Sequence, residues 1–250
     1  MRRYFVTTAW LLLISSVSFA QHAHWNVYAK TGIQVGGPLY HSSTIVSKSG
    51  SPGFNPIIGT GISYKLSKKW SLAAEAFYSR RKVTYTSEVK DQNYIDRNTI
   101  IINNNPVTFE VSTTFTGTTK GEFDIHYLEF PLLAQYAIGN NWQIHAGMYY
   151  SWAFSKTNKG TATGIIGRTD ISNPNTVTDK EYNYSKEVNS RYYGFVAGAQ
   201  YQLSPAVALD LRATYSCKSL YKEDWEGVPY TLKDLYVQFT VKYFFIRAKD

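Results

Sequence analysis

Cysteine is almost missing from this chain: Cys217 is the only one in 250 residues. A lone thiol excludes an internal disulfide and gives no metal site. Long apolar runs are missing too. Beyond residue 20 nothing approaches the roughly 18 consecutive apolar residues of a spanning helix. Glycine-rich phosphate loops, metal-ligand spacings and internal repeats are also absent, so no cofactor or metal is expected. A one-signed charge cluster is lacking as well. The formal charge is +8, from 26 Lys and Arg against 18 Asp and Glu. Two of those bases, Arg2 and Arg3, stand at the start, and in the long polar stretches acids and bases are nearly balanced. With no basic face for a polyphosphate, nucleic acid is not an expected partner.

What is present begins with a leader pattern. Met1-Arg2-Arg3, an apolar Trp10–Ile14 centre and Ser18-Phe19-Ala20 predict a secretory signal peptide over residues 1–20, cut after Ala20. The remainder, 21–250, reads as one domain. The residue directly after the cut is Gln21 and not a cysteine, which argues against a lipoprotein precursor.

The last apolar stretch, Leu235–Phe245, sets the pattern for the rest. Its odd positions read Leu, Val, Phe, Val, Tyr, Phe, and its even positions Tyr, Gln, Thr, Lys, Phe. Side chains on a strand alternate faces, so one face is apolar and the other mostly polar. A tilted strand crosses a bilayer in about 9–11 residues. The spacing of Gln238, Thr240, Tyr243 and Phe245 also resembles the C-terminal signal read by the outer-membrane insertion machinery. Thr240 stands where that signal usually has Gly, and five residues follow Phe245.

Seven more segments alternate in the same way: Trp25–Gly36, Pro56–Leu66, Trp70–Lys82, Ile125–Ile138, Trp142–Ser155, Arg191–Leu203 and Val207–Tyr215. They predict an all-β, eight-stranded antiparallel up-and-down transmembrane barrel, with the even strand count of bacterial barrels. Connections alternate between tight turns at Ser67-Lys68-Lys69, Gly139-Asn140-Asn141 and Ser204-Pro205-Ala206 and long polar loops at 37–55, 83–124, 156–190 and 217–234. Short periplasmic turns and long external loops are the outer-membrane arrangement, placing both termini in the periplasm. Within 83–124, Thr99–Ile102 and Val107–Val111 predict a hairpin extending the third and fourth strands above the membrane. A ten-stranded barrel is the alternative, with its extra turn at Asn103-Asn104-Asn105-Pro106.

The polar face carries Gly32, Gly36, Gly59, Gly61, Gly147, Gly194 and Gly198 together with Lys30, Lys65, Glu75, Glu129, Asp210, Arg212 and Lys242. Glycines and opposed charges suit a narrow polar lumen and exclude a soluble lipocalin-like barrel with an apolar cavity. The seven charges are expected to close into an ion-paired plug. On the apolar face Tyr64, Trp70, Trp142, Tyr201, Tyr243 and Phe245 fall near the periplasmic ends, where an interfacial girdle belongs. The same parity brings Arg80, Lys82, Lys156 and Arg191 to the outer ends of three strands, roughly 25–35 Å up. That is the level of lipopolysaccharide phosphates, which Arg and Lys bind by charge-assisted hydrogen bonds; ordinary solvated rim charges are the alternative. Pro131 within a strand predicts a bulge or kink.

At Tyr127-Leu128-Glu129-Phe130-Pro131-Leu132-Leu133 the chain resembles the PorT-like outer-membrane β-barrel family, whose members carry a Tyr-Leu-Glu-(apolar)-Pro-Leu-Leu strand in mid-chain. Gly194–Leu203 and Leu209–Tyr215 look like its sixth and seventh strands. After the seventh, Ser216-Cys217-Lys218 replaces that family's Gly-Leu. The resemblance implies a small Gram-negative outer-membrane barrel and, through the family's named member, a link to protein export.

For function, the leading expectation is a non-enzymatic barrel presenting 83–124 and 156–190 to a protein partner, with outer-membrane lipid and lipopolysaccharide around it. An accessory barrel of a secretion complex and a lipid-modifying enzyme are the alternatives. Glu129 is expected to neutralise Lys30, Lys65, Arg212 or Lys242. No catalytic residue is assigned, because no histidine shares a face and level with a serine and an acid. His126 is expected to face lipid near the outer rim, where Asp124 could pair with it; His145 is expected in the lumen; His22, His24 and His41 lie in the leader region and first loop.

Overall fold

Alternation of apolar and polar residues can be satisfied in a membrane only if every strand edge is paired, and this chain closes its sheet on itself. The computed structural model describes residues 24–40, 45–102, 105–168, 171–225, 227 and 231–248. The expected leader over 1–20, with His22 and His41, lies outside the described residues. The strands are β1 (Trp25–Tyr40), β2 (Ile45–Pro52), β3 (Pro56–Lys65), β4 (Trp70–Ile102), β5 (Asn105–Ile138), β6 (Trp142–Arg168), β7 (Ile171–Asn183), β8 (Arg191–Ser204), β9 (Val207–Ser216) and β10 (Leu232–Ile246). Eight of them form the ring β1-β3-β4-β5-β6-β8-β9-β10, closed by antiparallel pairing of β10 with β1. The other two stand outside it, β2 on β4 and β7 on β6. The ten-stranded barrel is thereby corrected: β4 runs directly into β5 through Ile102↔Asn105 with no turn at the opposite end.

The two faces separate as the sequence pattern requires. Leu132 is 67 % exposed, while Leu133 beside it is 2 % exposed. Slipping any strand by one residue would exchange those faces, which pins the register. At the short-turn end, three cross-strand aromatic pairs ring the outer surface. Trp25 meets Tyr64 at 4.8 Å, Trp70 meets Tyr136 at 4.9 Å, and Trp142 meets Tyr201 at 4.9 Å between centroids. Inside, Gly61 is required by a close approach: a Cβ there would sit 2.5 Å from the Tyr28 ring. Pro131 makes no bulge in the β4–β5 ladder. Pairing resumes from Ala74↔Leu132 to Phe77↔Glu129 in unchanged register, so the missing N–H opens a gap without shifting the strands.

The strands differ greatly in length. β4, β5 and β6 have 33, 34 and 27 residues, against the about 9–11 needed to cross. Their excess rises beyond the ring as a ribbon, β2-β4-β5-β6-β7. The expected hairpin within 83–124 is present. The regions 37–55 and 156–190, read as plain loops, instead supply β2, the upper half of β6 and β7. Their Thr-, Ser- and Gly-rich segments face water on one side, so no lipid demands apolar alternation there.

Two matched devices bend this ribbon. Asp91 (φ 50°) and Asp179 (φ 48°) sit in the left-handed region where their ladders skip a residue. Each is held by a threonine across the strand. The Asp91 N–H donates to Thr116 Oγ1 at 2.9 Å, and that hydroxyl donates back to Asp91 Oδ1 at 3.1 Å. Asp179 and Thr163 repeat the pair at 2.9 and 3.1 Å. Asp91→Val places a β-branched residue in that conformation at a cost of about 1–2 kcal/mol. Hydrogen exchange around the bulge should accelerate roughly 5–30-fold, while the ring below keeps its wild-type protection.

Candidate functional site: the lumen and the outer cup

From the short-turn end upward, the lumen is built in layers. The lowest is a polar vestibule of about 390 Å³, whose lining includes Lys65, Lys68, Lys69 and Arg247. Lys65, expected in the ion-paired plug, belongs here instead. It lies four residues down β3 from Gly61, the partner of Glu75, which is about 13 Å along a strand.

Above the vestibule stands a buried ion network, built from lumen-facing positions of β1, β4, β9 and β10. Lys30 Nζ donates to Glu75 Oε2 at 2.8 Å. The Arg212 guanidinium grips both oxygens of Glu75 at 2.8 and 3.0 Å and also pairs with Asp210. Lys242 Nζ lies 3.0 Å from Asp210 and 3.3 Å from Glu75, and donates to Gln200 Oε1 at 3.0 Å. The Tyr28 hydroxyl completes Glu75 at 2.8 Å, and its ring lies under Lys242 Nζ at 5.0 Å. His145 falls in the lumen as expected, its Nε2 3.4 Å from Asp210 Oδ1.

Glu129 does not join that set. Its partner is Arg81, which donates to both Glu129 oxygens at 3.1 and 3.0 Å and to Asp234 at 3.0 Å. The guanidinium is sandwiched between the rings of Tyr127 and Tyr236, each 4.7 Å away, a favourable place for a desolvated cation. Ser79 and Ser151 also donate to Glu129. Arg81 and Asp234 were missed by sequence reasoning. The available signal was parity: Arg81 lies between outward-facing Arg80 and Lys82, so it must point inward. With those two included and Lys65 excluded, the buried lumen holds four cations and four carboxylates among the described residues, a neutral set.

An apolar layer follows. Val188, Leu220, Tyr221 and Leu232 pack against Phe123, Ile125, Tyr127 and Tyr192. The segments beside β8 and β9 tie this layer across the mouth, with Asn189 N donating to Leu220 O at 2.9 Å and Leu220 N to Leu232 O at 2.7 Å. Higher still, the inner face of the ribbon forms a cup containing a cavity of about 150 Å³.

The four expected rim bases behave differently from one another. Arg80 makes a bidentate pair with Asp124 at 2.8 and 2.6 Å, and Lys82 pairs with Glu122 at 3.2 Å. The register places Asp124 and Glu122 on the same outward face, opposite Lys82 and Thr84. Lys156 Nζ donates to Val188 O at 2.5 Å and Ser190 Oγ at 2.8 Å. Arg191 is exposed. His126 lies outward as expected, with Nδ1 2.8 Å from the Tyr78 hydroxyl and Nε2 3.5 Å from Asp124. In the expected insertion signal, Gln238 and Thr240 are buried in the lumen, while Tyr243 and Phe245 are exposed on the lipid side, their rings 5.2 Å apart.

Removing one partner of a buried ion set strands the others, at about 3–5 kcal/mol. Glu75→Leu, which leaves Lys30, Arg212 and Lys242 against Asp210 alone, should cost that much in urea unfolding of the refolded barrel. Lys65→Leu at the vestibule should cost less than about 1 kcal/mol.

Among solved structures, the chain is similar to the attachment invasion locus protein Ail of Yersinia pestis, at 12 % identity over 90 % of this chain and 100 % of that one, with a TM-score of 0.41. It is similar to Neisserial surface protein A at 12 % identity over 88 % and 97 %, TM-score 0.39. It is also similar to OprG of Pseudomonas aeruginosa at 14 % identity over 91 % and 98 %, TM-score 0.38. No curated protein matches by sequence. The family model described as "Outer membrane protein beta-barrel domain" matches residues 19–222, most of the chain, and the protein belongs to that outer-membrane β-barrel family.

Proposed function

We propose that this is a non-enzymatic integral outer-membrane barrel with a closed lumen, presenting its ribbon to a protein partner outside the cell. The observation that carries the reading is the layering: two buried ion networks and an apolar layer fill the ring, while the paired strands above it have no membrane to cross. An eight-stranded ring is about wide enough for its own side chains, so these layers leave no room for a solute path. The exposed segments are those at 83–124 and 156–190, and both termini are in the periplasm. Within the family, the Tyr127–Leu133 strand supports a PorT-like affiliation. The insertion machinery reads Tyr243 and Phe245 from the lipid side, with Gln238 and Thr240 inside.

Of the rim bases, exposed Arg191 is foremost in contacting lipopolysaccharide phosphates, whereas the Lys156 ammonium is engaged by Val188 O and Ser190 Oγ. Arg80 and Lys82 are already neutralised by Asp124 and Glu122, which lowers their attraction for a phosphate.

Orientation is tested in a Cys217→Ser background with a membrane-impermeant thiol reagent on intact cells. Pro174→Cys should label and Lys68→Cys should not. The opposite pattern would place the ribbon in the periplasm and remove the surface-interaction reading. A companion measurement trims the hairpin by deleting residues 87–119, which ends between the register partners Thr86 and Lys120. The ring should still fold, and crosslinks from intact cells to surface partners should fall at least severalfold; unchanged crosslinks would assign the contact elsewhere.

A further inference from the structure

The cup above the apolar layer holds two kinds of wall. Tyr85, Phe115, Phe123, Tyr182, Tyr184 and Tyr221 line its cavity with aromatic surface. These rings are fixed by one another. Tyr85 stacks on Phe123 at 5.2 Å, Tyr182 stacks on Tyr184 at 4.8 Å, and the Tyr85 and Tyr182 hydroxyls lie 2.7 Å apart. Trp225 braces the outside of the set against Tyr184 at 4.8 Å and Tyr221 at 4.4 Å. Burial pushes the Tyr182 phenol up to about 12, so it stays a neutral hydroxyl at any physiological pH.

Against this aromatic surface stand two polar side chains without a partner. Ser87 is 4 % exposed and Gln92 is 7 % exposed, both line the cavity, and neither side chain makes a hydrogen bond among the described residues. The polar atoms of neither side chain are sealed from solvent, so they meet water in the cavity, and a ligand that displaces that water must carry its own donors and acceptors. At the mouth, exposed Lys180 and Glu181 are adjacent and of opposite sign, which gives an ion of either charge no net attraction. The volume of about 150 Å³ matches one six-membered ring, the size of cavity that accepts benzene in an engineered protein.

We propose that the cup is a binding site for a single uncharged pyranose ring, free or terminal on a glycan. A pyranose presents C–H faces to aromatic rings and hydroxyls around its edge, so it answers both walls at once. An aromatic hydrocarbon of equal size would cover the rings yet leave Ser87 and Gln92 unsatisfied. The proposal rests on the reading that the ribbon is the interacting part of the protein, and it names what the cup takes.

The test uses the full mature chain refolded in neutral detergent, where orientation in a cell plays no part. Saturation-transfer NMR is run against methyl glycosides of glucose, galactose, mannose and N-acetylglucosamine, with benzyl alcohol as the apolar ring. At least one glycoside should bind in the millimolar range and benzyl alcohol should not. The double variant Ser87→Ala, Gln92→Leu keeps the aromatic wall and should weaken that glycoside at least tenfold, because a site built to hydrogen-bond loses most when those bonds go. Phe115→Ala should weaken it as well, with protease resistance of the ribbon checked in both. Binding of no glycoside, of benzyl alcohol alone, or of a glycoside with equal affinity in the double variant would overturn the proposal. Such a failure leaves the thiol-labelling result untouched, so the two readings fail separately.

Discussion

Three cations converge on the carboxylate of Glu75, inside a ring whose outer surface is apolar. Lys30 arrives from β1, Arg212 from β9 and Lys242 from β10, and Arg212 is 137 residues away in sequence. Desolvating such groups is costly, and the cost is offset only when all are brought together with good geometry. The cluster therefore favours one arrangement of β1, β4, β9 and β10 over slipped alternatives. Arg81, Glu129 and Asp234 do the same for β4, β5 and β10 higher in the lumen. The lower set carries one surplus positive charge and the upper one surplus negative charge. Each half is thus incomplete alone, and together they balance.

The ring was legible from residues because lipid imposes a rule. Where a strand faces the bilayer its outward residues are largely apolar, as Leu128, Phe130 and Leu132 or Val237, Phe239 and Val241 are, with small Thr31 and Thr60 tolerated among them. The ribbon was only half legible, because water imposes no such rule. Thr161, Thr163 and Thr176 can pair in a strand without a distinctive pattern, so β7 and the upper part of β6 read as loop. The hairpin between Val83 and Asp124 was visible because Val107–Val111 kept a partly apolar alternation.

The site residues show the same division. Lys30, Glu75, Asp210, Arg212 and Lys242 share a face, and the structure brings all five together. Parity alone cannot give height, however, and height separated Lys65 from the cluster and turned Glu129 toward Arg81. Neighbouring strands matter equally. Arg80 and Lys82 looked like free rim bases until the register set Asp124 and Glu122 beside them. Charge on a sheet is a property of pairs across strands, which a single segment does not display.

A lumen closed by its own paired charges and the apolar layer above them would pass no ions. In planar-bilayer recording from the purified, refolded chain, no stable single-channel steps are then expected at moderate voltage. Large, reproducible steps from correctly folded protein would contradict that closure, since ions would then be passing where Glu75, Arg212, Arg81 and Leu220 fill the lumen.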